Sequence, residues 1–443
     1  MSNAAQIKEL NGSFVPSTTV NGNGVGTGEH SAPLSFAQQQ IWLHAQLVPE
    51  IPIYNEPVTI HRRGRLDVAV LERTLTEIVR RHEAWRTHFV LTNGEPVQVV
   101  QPVTPIQLRT VDLRHLPAAE REAEAKRLAV EDSLRLFNLS EGPLFRALLV
   151  HLSDAEHRLI LTLHHIIFDG YSIYRVLLPE VATLYEAFAQ GKESPLPELP
   201  TQYRSFAAWE REWLLTKGHL SSQLAYWHKQ LGGDLPVQQL PSDRPRPAVQ
   251  SFRGAIHPVV VPKELSDALK LLSRREGATL FMGLISAFAV LLHRYSFSDD
   301  LPIGAVSSGR KRSELEGLLG YFLNLVVLRN NLSGDPTFRQ LVRRTREVAL
   351  DALSNDDAPF THVVSELHPN RSLSFNPLFQ VLLTLEPPAA DTQDGWTVAL
   401  TQSEVDTGYS KLDLCLELDE RPAGLVGRRT LACSPRVDAS PLR

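Results

Sequence analysis

Seven consecutive residues carry the strongest chemical signal in the chain: His164-His165-Ile166-Ile167-Phe168-Asp169-Gly170. An imidazole can take up or steer a proton near neutral pH. Preorganised donors beside it can stabilise an oxyanion. Together these are the equipment for attack of a nucleophile on a carbonyl. The cluster closes the apolar run Leu159–Leu163, read as a strand, turns at Asp169-Gly170 and enters a predicted helix from Ile173 to about Gln190. Strand-to-helix loops are where α/β folds present reactive groups. Neighbouring strand residues point to opposite faces, so one histidine should face a cavity while the other packs inward. Gly170 should permit a turn that other residues would strain. On these residues alone a plainer reading stays open, two structural histidines and a turn. A metal site is disfavoured, because the rings diverge and no third ligand lies nearby.

The segments that must position this loop alternate between strand and helix. Ser35 is placed to cap a helix carrying Ile41, Trp42 and Leu47. Leu71, Leu75, Ile78 and Val79 recur at helical spacing, with Glu72, Arg73, Glu77 and Arg80 on the other face. Asn93-Gly94 between two strand-like runs predicts a hairpin. Prolines at 195, 197 and 200 mark a break, after which helices and strands alternate again as far as Lys411–Glu417. At 443 residues the chain exceeds one hydrophobic core, so two α/β lobes are expected. The division read from the sequence is a flexible tether over 1–31, a first lobe over 32–195, a second over 196–427 and an atypical tail over 428–443. No internal repeat is visible at residue level.

Composition excludes more than it identifies. Apolar residues make up 43% and charged residues 21%, ordinary for a globular protein, and the net charge of -5 shows no basic stripe, against a nucleic-acid binder. The two cysteines, Cys415 and Cys433, lack metal or redox spacing. No signal peptide and no membrane-length apolar stretch is visible, so a cytoplasmic location is expected.

The cluster also resembles the signature of condensation domains of non-ribosomal peptide synthesis, relatives of chloramphenicol acetyltransferase. Other segments carry the resemblance in the same order. They are Ser35–Trp42, Arg81–Phe89, Tyr203–Trp209, Gly320–Asn324, Asn355–Phe360 and Asn376–Gln380. Seven ordered matches spanning Leu34 to Gly427 are far more specific than any one. Gln40 departs from the family pattern, which has arginine there.

The resemblance implies two acetyltransferase-like lobes in a V, with a tunnel between them. His165 would face the tunnel as the active histidine, as base or as positioner of the amine, with His164 in support. Gly170 would allow close backbone approach to the reacting carbonyl. Asp169 would pair across the lobes with Arg310 rather than act as base. Asn324 is expected to reach the tunnel, and Ser172 to line it or to cap the following helix. Arg81-His82-Glu83 would be structural, and Trp42, Trp209 and Trp213 packing aromatics. No intrinsic cofactor is implied: an upstream donor carrier and a downstream acceptor carrier, beside adjacent synthetase modules, would deliver substrates on phosphopantetheine arms to a monomeric domain. The amine of one would attack the thioester of the other. Residues Ile166–Tyr174 look similar to condensation domains that follow polyketide modules, implying a polyketide or fatty acyl donor. An Asp-x-x-x-x-Asp pattern, the mark of heterocyclising relatives, is absent, and Asp-Gly argues against an epimerase. A stand-alone acyl-CoA-dependent acyltransferase and a non-catalytic recruitment platform remain as rivals.

Overall fold

The computed structural model describes residues 31–216, 218–242, 245–368, 372–387, 395–398 and 405–432. Nearly all of the expected tether, Cys433 and residues 434–443 lie outside the described residues. The first half runs β1 (Ser31–Pro33), α1 (Phe36–Leu47), β2 (Asn55–Arg63), α2 (Val68–Arg81), β3 (Thr87–Thr92), β4 (Glu95–Val100), β5 (Arg109–Asp112), α3 (Ala118–Ser133), β6 (Phe145–Ser153), β7 (Glu156–His164) and α4 (Leu178–Ala189). The second runs α5 (Tyr203–Thr216), α6 (His219–Leu231), β8 (Gly254–Pro262), α7 (Lys263–Arg275), α8 (Leu280–Ser296), β9 (Asp300–Ser307), β10 (Asn324–Asn331), α9 (Phe338–Ser354), α10 (Phe360–Leu367), β11 (Val381–Glu386), β12 (Trp396–Val398), β13 (Leu414–Arg421) and β14 (Gly424–Ala432).

Local chemistry sets many of these boundaries. The Ser35 hydroxyl accepts the Gln38 N–H at 3.0 Å, and Gln38 accepts the Ser35 N–H at 3.2 Å, a reciprocal cap that opens α1. Thr337 and Gln340 open α9 in the same way. Along α2 the residues Leu71, Leu75 and Ile78 are buried, as the periodicity requires. Asn93 and Gly94 both take left-handed φ, +53° and +84°, and turn β3 into β4. Trp85 falls just before β3, in a single turn over Glu83–Arg86.

Two sheets carry the fold. The first has the order β12-β2-β7-β6-β5 and the second the order β10-β9-β11-β13-β14-β8. The first core packs α2 and α4 on the first sheet through Leu75, Ile78, Leu161 and Val181. The second packs α8 and α9 on the other sheet through Ile285, Phe288, Ile303 and Val342.

The halves are not cleanly separate. β12 lies in the second half of the sequence, yet it pairs antiparallel with β2 on the first sheet. Its Trp396 is fully buried in the first core, edge-on to Tyr185 at 5.3 Å and under the Arg62 guanidinium at 5.1 Å. Leu319, between β9 and β10, is buried in that core too. The stretch expected to begin an atypical tail at Arg428 is regular as far as Ala432. It continues β14, hydrogen-bonded to β13 on one side and β8 on the other. Its polar composition suggested an irregular end, but pairing on both edges holds it as strand, and Arg428 finds carboxylates at Glu417 and Glu56. Replacing Trp396 by alanine should cost about 3–5 kcal/mol, read as a lower urea midpoint. An unchanged midpoint would show that the strand is not integral to the first core.

Candidate active site

β7 delivers the histidine cluster to the boundary between the two sheets. Its last residue, His164, faces Asn55 of β2, and its N–H donates to the Leu144 carbonyl at 2.9 Å. The next N–H, of His165, donates to the Tyr54 carbonyl at 2.8 Å. The chain then leaves the sheet in one tight turn over His165–Ile167. The two rings go to different surroundings. His164 is buried beside Tyr54 and Phe137, and its Nδ1 accepts the Ile166 N–H at 3.3 Å. Burial first, then the charges of His165 and Lys411, lower it to about 3. It is therefore a neutral packing group at any ordinary pH.

His165 is half-buried, stacked on Phe168 with centroids 4.9 Å apart and edge-on to Tyr321 of the second half at 5.1 Å. Its Nδ1 lies 2.9 Å from the Phe168 carbonyl oxygen. A carbonyl can only accept, so Nδ1 carries the hydrogen and Nε2 keeps its lone pair. Among the described residues Nε2 has no hydrogen-bond partner. Burial and the Lys411 ammonium hold this imidazole below its ordinary value, against the opposing pull of Glu56.

Asp169 turns away from this ring into a buried knot. Its carboxylate accepts Arg310 Nη2 at 3.1 and 3.2 Å, with the two side chains 0% and 2% exposed. It also accepts the Ser172 N–H at 2.8 Å, the Ser172 hydroxyl at 2.7 Å and the Phe322 N–H at 3.1 Å. Arg310 Nη1 donates to the carbonyls of Leu315 and Leu318 at 2.6 and 3.0 Å, and the guanidinium lies over the Phe322 ring at 3.9 Å. Thus Asp169, not Ser172, caps the helix that follows, because its carboxylate stands three residues before the N–H it receives. The expectation that Ser172 lines a tunnel gives way to full burial, its hydroxyl held among Asp169, Arg310 and Gly320. A π-helical turn over Ser172–Leu177 follows, a form frequent beside functional sites.

Neighbouring motifs converge on the same knot. The Tyr203 hydroxyl meets Ser35 at 2.8 Å and donates to the Tyr321 carbonyl. Its ring fills the space that a Cβ on Gly320 would need. His82 accepts the Leu319 N–H on Nδ1 at 3.2 Å and pairs with Glu180 through Nε2 at 2.8 Å, while Arg81 reaches the same carboxylate at 3.2 Å. Asn324 is committed to backbone groups of the second half. Its amide donates to the carbonyls of Asp356 and Ala358 at 2.8 and 2.7 Å and accepts the Phe360 N–H at 3.1 Å, a brace for the start of α10 in place of the expected tunnel contact. Gly170 has no left-handed φ, contrary to expectation. Its open side is filled by the Glu386 carboxyl, which a Cβ there would push aside.

Sequence reading missed the charges around His165. Glu56 on β2 pairs with Lys411 at 3.2 Å and with Arg428 at 3.6 Å, and Arg428 reaches Glu417 at 2.8 Å. Burial would push Glu56 up, but Lys411 and Arg428 outweigh it and hold the carboxylate at about 2. The only sequence signal was a carboxylate inside the buried run Asn55–Ile60, and its partner stands 355 positions away. Among the described residues no group of three His, Cys, Asp or Glu could hold a metal ion.

With this geometry in view, comparison with known proteins is decisive. Residues 28–425 match the family described as Condensation domain. The chain belongs to the condensation-domain family. A linear gramicidin synthase polypeptide from Brevibacillus parabrevis is 46% identical over 401 residues, which is 90% of this chain and 5% of that protein. Phosphinothricin tripeptide synthetase PhsC of Streptomyces viridochromogenes is 39% identical over 89% of this chain and 36% of its own length. The chain thus spans a small part of the curated relatives it matches. Among solved structures, the X-domain from teicoplanin biosynthesis superposes with a TM-score of 0.78 at 29% identity, covering 93% of this chain and 91% of that one. The first condensation domain of the calcium-dependent antibiotic synthetase gives 0.78 at 21%, covering 93% of each, a likeness of fold. The two-lobed acetyltransferase-like fold of condensation domains is therefore the fold of this chain.

Breaking the knot should be costly. Asp169→Ala or Arg310→Ala alone leaves a buried charge unpaired, at about 3–5 kcal/mol each, whereas Asp169→Leu with Arg310→Leu should cost less than the two single leucine changes together. Denaturant unfolding of the cycle checks this, and strictly additive losses would contradict a direct pair.

Proposed function

We propose that this chain forms an amide bond between a carrier-tethered acyl or peptidyl donor thioester and the amine of a carrier-tethered aminoacyl acceptor. The observation that carries the reading is His165 Nε2, a lone pair fixed by the Nδ1–Phe168 bond and placed where the two halves meet. The neutral amine nitrogen attacks the thioester carbonyl, and a tetrahedral oxyanion forms. His165 Nε2 takes or guides the proton leaving nitrogen. The C–S bond then breaks and the donor thiol departs with a proton. Holding two tethered reactants in line supplies much of the rate. No acyl-enzyme is required. The carriers would enter a tunnel between the lobes from opposite mouths, within a longer cytoplasmic synthetase.

Asp169 and Arg310 act through the loop and do not touch substrate. His164 supports the fold of the turn. A platform reading has one observation in its favour: the X-domain, similar in structure, has been captured in complex with OxyB. Against it stands the complete histidine motif with an open Nε2.

His165→Ala should abolish transfer between loaded carriers, seen by intact-mass analysis of both carriers after mixing. Wild-type turnover in that variant would overturn the assignment. Burial and Lys411 hold the His165 imidazole below the ordinary histidine value. In single turnover, once the titration of the acceptor amine itself is divided out, the further fall that belongs to His165 should lie only below pH 6.5, the ordinary histidine value; a His165-dependent fall centred above it would contradict the base role. An acyl carrier donor should outperform a peptidyl carrier donor, and equal use of both would remove the polyketide or fatty acyl assignment.

A further inference from the structure

Glu386 ends β11, at the centre of the second sheet, where it pairs in register with Asp419 of β13. Its carboxyl crosses to the first half and lies against Gly170, in the space that a Cβ there would take unless the carboxyl swung aside. Gly170 closes the histidine motif, five residues after His165. Among the described residues Glu386 makes no hydrogen bond and no ion pair. Arg428 of β14 is engaged with Glu417 and Glu56, and Arg421 of β13 with Asp419. A partly buried carboxyl with no partner is costly unless something charged or polar visits it.

The groups facing it are mostly of its own sign. Glu417 and Asp419 come from β13, Asp169 from the motif loop and Arg428 from β14, and the Tyr174 phenol faces it from the helix after the motif. Burial first, then Glu417 and Asp419, push the Glu386 carboxyl up to about 8. Such a site attracts a cation and disfavours an anion.

We propose that Glu386 binds the amino group of the acceptor, holding it beside the Gly170 backbone for attack. The inference rests on the amide-forming reading and names the group that selects an amine over a hydroxyl. At pH 7 the empty carboxyl and a free α-amino group, of ordinary value about 7.7–8.0, each carry a proton. Joined, they share one. Acceptor binding therefore releases a proton, and affinity rises with pH up to the amine's own titration. Losing a charge-assisted hydrogen bond of this kind should weaken amine binding about ten- to a hundredfold.

The test uses the full chain and two inert pantetheine amides, one alanyl and one lactyl, which differ only in amine against hydroxyl. Calorimetry at pH 7 in buffers of different ionisation enthalpy gives both affinity and proton count. The wild type should bind the alanyl probe more tightly than the lactyl and release about one proton with it. Glu386→Gln should lose that preference and that proton with lactyl binding unchanged, and Glu386→Asp should retain the proton release. Equal loss of both probes in Glu386→Gln, unaltered alanyl binding, or no amine preference in the wild type would each overturn the proposal. No turnover is needed, so failure of amide formation between loaded carriers would register separately, as failure of the functional reading.

Discussion

The ion pair between Asp169 and Arg310 is the constraint on which the rest of the site depends. Two full charges are withdrawn from water, which is tolerable because both carboxylate oxygens and both terminal guanidinium nitrogens find partners, although the Arg310 Nε–H is left without one. Asp169 receives the guanidinium, the helix N–H at Ser172 and the Phe322 N–H. Arg310 gives its Nη1 hydrogens to two carbonyls of its own loop. One carboxylate thus caps a helix of the first half and anchors a loop of the second. The consequence is positional: the chain between His164 and Asp169 is pinned at the strand end on one side and at the ion pair on the other. The His165 ring between these pins has little freedom, and the Phe168 carbonyl fixes which nitrogen bears hydrogen.

Electrostatics around the ring follow from a second crossing. Lys411 and Arg428 from the second half meet Glu56 of the first, and the charges of Lys411 and Glu56 are felt at His165. The ammonium of Lys411 disfavours a protonated imidazole and Glu56 favours it, with burial adding to the first. The balance keeps the ring neutral and able to accept. The aromatic neighbours Phe168, stacked on the ring, and Tyr321, edge-on to it, pack against it without competing for Nε2.

Much of this was legible in the sequence, and the reasons differ from residue to residue. The two histidines were readable because a strand end gives neighbouring residues opposite fates. The cap at Ser35 and the turn at Asn93-Gly94 were readable because their chemistry is local. Asn324 and Ser172 were misplaced for a common reason: an amide or a hydroxyl has several possible partners, and only tertiary structure selects among them. Arg428–Ala432 looked irregular because composition does not record that a strand has a neighbour on each side. Glu56, Lys411 and Glu386 left almost no trace, since what makes them special is a partner or a neighbour hundreds of positions away. The crossing of β12 to the first sheet is the same kind of fact, a three-residue strand whose place is set by the burial of Trp396.

The chemistry turns on one proton. Nitrogen NMR of the His165 imidazole, assigned with a His165→Gln variant, reads both tautomer and titration directly. The hydrogen should reside on Nδ1 throughout neutral pH, with Nε2 unprotonated and the ring titrating below 6.5. A hydrogen on Nε2, or titration above that value, would contradict the assignment of His165 as the proton acceptor of the site.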